Sequence, residues 1–159
     1  MKGERKMKEA FREELNRVWK VANEITGSRL RYPDVEWFHI VGDKDEGNNT
    51  AAYAQGKGKI AICIEYAYYF RETMFAVLIH EASHCFADHL NEKRGIWETD
   101  HGKEWRKMAT RLAKALDCHL AVANHAFHTM HLSREQIAYC KSKPRKKNVA
   151  VCKPVWEWD

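Results

Sequence analysis

The chain contains no run of eighteen or more apolar residues, and its first thirty residues are charged throughout, so neither a membrane span nor a secretory leader is expected. It also lacks any CxxC pair. Its cysteines, Cys63, Cys85, Cys118, Cys140 and Cys152, are odd in number, which fits free thiols in a reducing compartment better than a disulfide framework. No internal repeat or low-complexity segment stands out. A soluble intracellular protein, cytoplasmic or in the nucleoid or nucleus, is the resulting expectation.

What is present suffices for one folded unit. A length of 159 residues with 45% apolar content can bury a single sizeable core. The formal net charge of +5 is modest, but Lys141, Lys143, Arg145, Lys146, Lys147 and Lys153 crowd the end of the chain against only Glu157 and Asp159. The expected organisation is therefore a domain over residues 1–140 and a basic, Trp-containing tail over 141–159.

Phe11, Leu15, Val18, Ala22 and Ile25 recur at steps of three and four, which predicts an amphipathic helix over about 7–25, with Gly27 as its stop. Residues 35–41 are rich in β-branched and aromatic types and read as a strand. Residues 50–55 and 59–64 flank Gly56-Lys57-Gly58, whose glycines suit a tight turn, so an antiparallel hairpin is expected there. Helical periodicity returns from Arg71 to about Leu90 and again from about Gly102 to Leu116. Ser133 with Gln136 resembles a capping box.

The segment LIHEASHCF carries the chemistry. His80 and His84 stand four residues apart inside a predicted helix, so both imidazoles leave the same face and can meet one ion. Glu81 sits one residue after the first, where its carboxylate can reach water on a metal without ligating the metal itself, as in HExxH metallopeptidases. Zinc would lower the pKa of that water to about 7, and Glu81 would take its proton as a peptide carbonyl is attacked. The imidazoles must be neutral to bind, so affinity should fall in acid. Shuffling this composition would produce HExxH in about 5% of cases, so the weight falls on context: a helix with an apolar opposite face, a hairpin before it, and a loop and helix after it.

A catalytic zinc needs a third protein ligand, and His89, Glu98, Asp100, His101 and Glu104 are the candidates. Ala87 and Leu90 occupy the positions where a metzincin would need glycine and histidine, so that class is rejected. His89 lies about 140° around the helix from His84 and points away. His101, immediately before Gly102 and a returning helix, is the favoured ligand; Glu104, one turn further on, is the alternative.

HEASH at 80–84 followed by DHGKEW at 100–105 resembles the SprT-like metallopeptidases, which pair HExxH with a later His-Gly-x-x-aromatic element. The resemblance spans about residues 7–117 and includes an N-terminal helix and a hairpin, AAYAQGKGKIAICI, before the motif helix. It implies that His101 is the third zinc ligand. It also implies a substrate class, because Spartan-type members digest proteins covalently trapped on DNA and are stimulated by DNA. Many relatives carry a C-terminal zinc ribbon of paired cysteines, whereas here Cys140 and Cys152 stand alone and the basic tail is what remains for nucleic acid.

Weaker signals have plainer readings. His119, His125, His128 and His131, with Cys118 or Cys140, show no ligand pair at zinc-finger spacing and are read without a second metal. The tail joins KSKPRKK to Trp156 and Trp158, a mixture able to pair phosphates and stack bases of single-stranded DNA, although a solvated tail is as common. Cys85 reads as a small buried residue; Trp37, Trp97 and Trp105 could line a cleft or fill the core, and core is the safer reading. The reading is thus an α+β, zincin-like domain with a small antiparallel sheet packed against the HExxH helix and flanking helices. Its metal, Zn2+, is held by His80, His84 and His101, with Glu81 as base and protein as substrate. The alternative is a non-catalytic nucleic-acid-binding or regulatory protein with a structural zinc, closed by a fourth ligand such as Cys85 or Glu104.

Overall fold

The computed structural model describes residues 2–39, 52–56, 58–69, 71–99 and 101–116. Asp100, the histidine-rich stretch beyond Cys118, the capping-box pair, the Lys141 boundary and the basic tail lie outside these residues.

Helix α1 (Lys2–Thr26) buries Met7, Phe11, Leu15, Val18, Trp19 and Ala22, a stripe at helical spacing that faces the core. Gly27 ends it with φ +64°, and the Ser28 N–H bonds back to the Asn23 carbonyl at 3.1 Å. Asn23 then turns the chain with its side chain. Its Nδ2 donates to the Leu30 carbonyl at 3.0 Å and its Oδ1 accepts from the Leu30 N–H at 2.9 Å. Strand β1 (Asp34–Phe38) follows.

Strands β2 (Ala52–Gln55) and β3 (Lys59–Cys63) form the expected antiparallel hairpin, with Gly56 at φ +65° in its turn. The sheet as a whole corrects the expectation. Its order is β1-β3-β2, and β1 runs parallel to β3 with Asp34 opposite Lys59 and Phe38 opposite Cys63. The sheet is therefore mixed, not purely antiparallel. The hairpin turn fixes only β2 against β3; which edge of that pair β1 takes, and in which direction it runs, no local pattern reports. Ile60 to Cys63 of this central strand are all buried.

Helix α2 (Ile64–Tyr69) begins directly after β3, at a residue the sequence reading had given to the strand. Helix α3 (Arg71–Arg94) is the centre of the molecule and extends four residues beyond the expected end. Val77 through Ser83 are buried without a break, as in a helix covered on all sides, and Phe86 meets Trp19 edge-on at 4.9 Å. Ser83 satisfies its hydroxyl on the Ile79 carbonyl at 2.7 Å, and the Cys85 thiol donates to the Gly56 carbonyl at 3.4 Å, tying the helix to the hairpin turn. Helix α4 (Lys103–Ala115) buries Trp105, Met108, Ala109, Leu112 and Ala113, and its Arg111 donates to the Ile25 carbonyl at the end of α1, at 2.9 Å.

The architecture is α+β, with helices packed around a small three-stranded sheet. No helix among the described residues is long and apolar enough to cross a membrane.

Candidate metal centre

His80 and Glu81 are the ionisable residues in the buried run of α3, at 2% and 1% exposure. A buried stretch of helix that keeps an imidazole and a carboxyl side by side does so at a cost in desolvation, which makes the position a candidate functional site. His84, one turn on from His80, presents its ring on the same face with centroids 4.9 Å apart and Nε2 atoms 3.1 Å apart.

The third ring comes from outside the helix. Beyond His84, α3 carries the chain about 15 Å away from the pair. Gly95 stops the helix with φ +65°, its N–H bonding the Glu92 carbonyl at 3.2 Å and the Ile96 N–H bonding the Asn91 carbonyl at 2.9 Å. A non-helical return from Ile96 to Thr99 brings the chain back, and His101 places its Nε2 3.3 Å from that of His80, with its ring centroid 4.6 Å from His84. The ligand atoms of His80, His84 and His101 all lie within 4.8 Å of one another, so these three residues could hold a metal ion. Among the described residues no other such group of three occurs.

Burial, and then the neighbouring charges of His84 and His101, push the His80 pKa down to about 2. His80 is therefore neutral at any ordinary pH, the state a metal requires. Trp105 backs the cluster. Its indole N–H donates to the His80 carbonyl at 3.2 Å, and its ring stands edge-on to His80 at 4.8 Å and to His101 at 4.7 Å, perpendicular to the latter. Glu81 lies three residues before His84, a neighbouring position on the helix surface.

The remaining candidate ligands are placed elsewhere. The Glu98 Oε2 accepts from Asn91 Nδ2 at 3.2 Å and from the Glu104 backbone N–H at 3.0 Å. Glu104 directs its own carboxylate to Arg94 at 3.3 Å. His89 is half-buried and not part of the group of three. Cys85 is buried as expected, its thiol pushed up to about 12, chiefly by burial. Trp97, expected in the core, is 85% exposed, while Trp37 packs partly buried against the core.

Sequence reasoning missed Asn91 altogether, weighed Glu98 only as a metal ligand and read Trp105 as core, where it is indeed buried, but not as a support of the site. The signal for one was available, since Trp105 follows His101 by four residues, one turn into the helix that His101 precedes. The residue between them is equally constrained. A Cβ at Gly102 would lie 2.9 Å from both Cβ and Oε2 of Glu98 and 3.0 Å from the Thr99 carbonyl, so glycine is there for space. Comparison with known protein families, with curated proteins and with solved structures finds no match.

Proposed function

We propose that this chain is a zinc-dependent metallopeptidase of the SprT-like kind, with a zincin-like arrangement of its α+β fold. The observation that carries the reading is the convergence of three Nε2 atoms, two of the separations being 3.1 and 3.3 Å. Zinc in a tetrahedron with Zn–N bonds of about 2.0–2.1 Å needs ligand nitrogens about 3.3–3.4 Å apart. A neutral, buried His80 and an all-imidazole donor set suit that ion. HEASH and DHGKEW add the family resemblance.

His80, His84 and His101 would hold the zinc. The ion supplies Lewis acidity, polarising a carbonyl oxygen and bringing the pKa of water down to about 7. Glu81 takes a proton from water as the water oxygen bonds to the peptide carbonyl carbon, and returns it to the amine nitrogen as the C–N bond breaks. Burial of Glu81 keeps bulk water away from the carboxylate that carries the proton. The substrate class, proteins bound or crosslinked to DNA, rests on the resemblance, and single-stranded DNA would be met by the tail at 141–159.

A structural zinc would need a fourth protein ligand. The Cys85 thiol donates a hydrogen bond to the Gly56 carbonyl, and Glu104 pairs with Arg94, which favours the catalytic reading over the structural one. The test is metal analysis of the wild type and H101A beside casein and histone digestion by the wild type and E81Q, with and without DNA. One zinc per chain, a marked loss in H101A, and an E81Q that keeps zinc while losing about 10²–10⁴-fold in rate are expected. Wild-type protein that takes up no zinc, or E81Q that cleaves at the normal rate, overturns the reading.

A further inference from the structure

His101 belongs to neither helix. It stands between the return segment and α4, so its position depends on what seats that junction. Helix α4 opens at Gly102, which has no side chain to cap the first turn. The capping acceptor comes instead from Glu98, whose Oε2 takes the N–H of Glu104, the second residue of the helix, at 3.0 Å. The same oxygen takes the Nδ2 proton of Asn91, in the last turn of α3, at 3.2 Å. One carboxylate oxygen thus joins the end of one helix to the start of the next, and His101 lies within the loop it closes. Its negative charge at the N-terminus of α4 adds to the hold through the helix dipole. Gly102 completes the arrangement, since a side chain there would displace Glu98.

We propose that Glu98 is a positioning residue for His101: it fixes the turn from which the third imidazole reaches the metal, without touching the metal itself. The proposal rests on the metal reading given above. Removing the carboxylate should free the junction and weaken zinc binding through His101, on the order of the 10–100-fold seen when groups supporting a metal ligand are removed. A glutamine at 98 keeps an acceptor oxygen at the same reach and should restore most of the affinity.

The experiment is zinc affinity, by competition with a chromogenic chelator, for the wild type, E98A, E98Q, H101A and E98A/H101A. It is paired with Co2+ electronic spectra, whose intensity reports the coordination geometry. Expected are a weakened E98A with an altered cobalt spectrum, an E98Q close to the wild type, and no further loss when E98A is added to H101A. Equal affinity in E98A and wild type overturns the assignment. So does an equal loss from E98A with and without His101, which would make Glu98 a ligand or a general support. E98Q, which preserves the hydrogen bonds, decides the matter if E98A does not fold: affinity as poor as that of H101A overturns the proposal. Wild-type protein that binds no zinc overturns the metal reading and this assignment together, whereas normal wild-type binding beside an unaffected E98A overturns the assignment alone.

Discussion

Replacing Gly102 by alanine tests the packing around the metal ligands without touching any of them. The backbone at 102 has φ −72° and ψ −169°, which alanine adopts without strain. In open space the change would stabilise by about 0.4–1 kcal/mol through the unfolded chain. Here the new Cβ would lie 2.9 Å from Glu98 Cβ and Oε2 and 3.0 Å from the Thr99 backbone oxygen. The first and last of these atoms cannot swing aside, so overpacking of about 1–3 kcal/mol is expected. Relieving the clash by displacing Glu98 would instead forfeit its bonds to Asn91 and the Glu104 N–H, about 1 kcal/mol or more each with a charged acceptor. The net destabilisation should be about 1–3 kcal/mol. Urea unfolding of metal-free protein reads it: with an m value of about 2 kcal/mol per M, the midpoint falls by about 0.5–1.5 M. In an E98A background the same substitution should cost less, because much of the clash has gone. A G102A midpoint equal to or above that of the wild type would refute the packing argument.

Trp105→Phe removes the N–H that reaches the His80 carbonyl and leaves a smaller ring beside three imidazoles, so a loss of about 1–3 kcal/mol in urea stability is expected. A change below about 0.5 kcal/mol would deny Trp105 that role. Burial pushes the Cys63 thiol up to about 12, with Glu65 facing it from 3.6 Å and His39 pairing with Glu65 behind. A folded pKa above the unfolded value of about 8.5 means this contribution is intact below that pH and shrinks as pH rises toward 12, by up to about 1.4 kcal/mol per unit. In native protein at pH 8, Cys63 should resist alkylation, and C63A should flatten the alkaline loss of stability. Rapid labelling of Cys63 under those conditions would contradict its burial.

Much of the framework was legible because its causes are local. Helix α1 reveals itself through Phe11, Leu15, Val18 and Ala22, although Met7 and Trp19 also turned out to face the core. The hairpin was readable from the glycine at 56, and His80 with His84 from their spacing on one helix. Three features were not legible. Ile64 continues the apolar run of β3 and opens α2, so it reads equally well as either. Asn91 to Arg94 look polar enough for a loop, yet they continue α3 to its glycine stop. Trp97 has the composition of a core residue but sits on the outward side of the return segment.

The order of residues alone therefore decided that α1, α4 and most of α3 coil, where the tight turn falls and that two imidazoles share a helical face, since each depends on neighbours within one or two turns. Tertiary packing alone decided that β1 takes the far edge of β3, that the ring of His101 returns to His80, and that Glu98 and Glu104 are drawn off to Asn91 and Arg94. Those outcomes rest on contacts between segments that meet only when α3, its return loop and α4 close on one another, and no window of sequence contains both partners of such a closure.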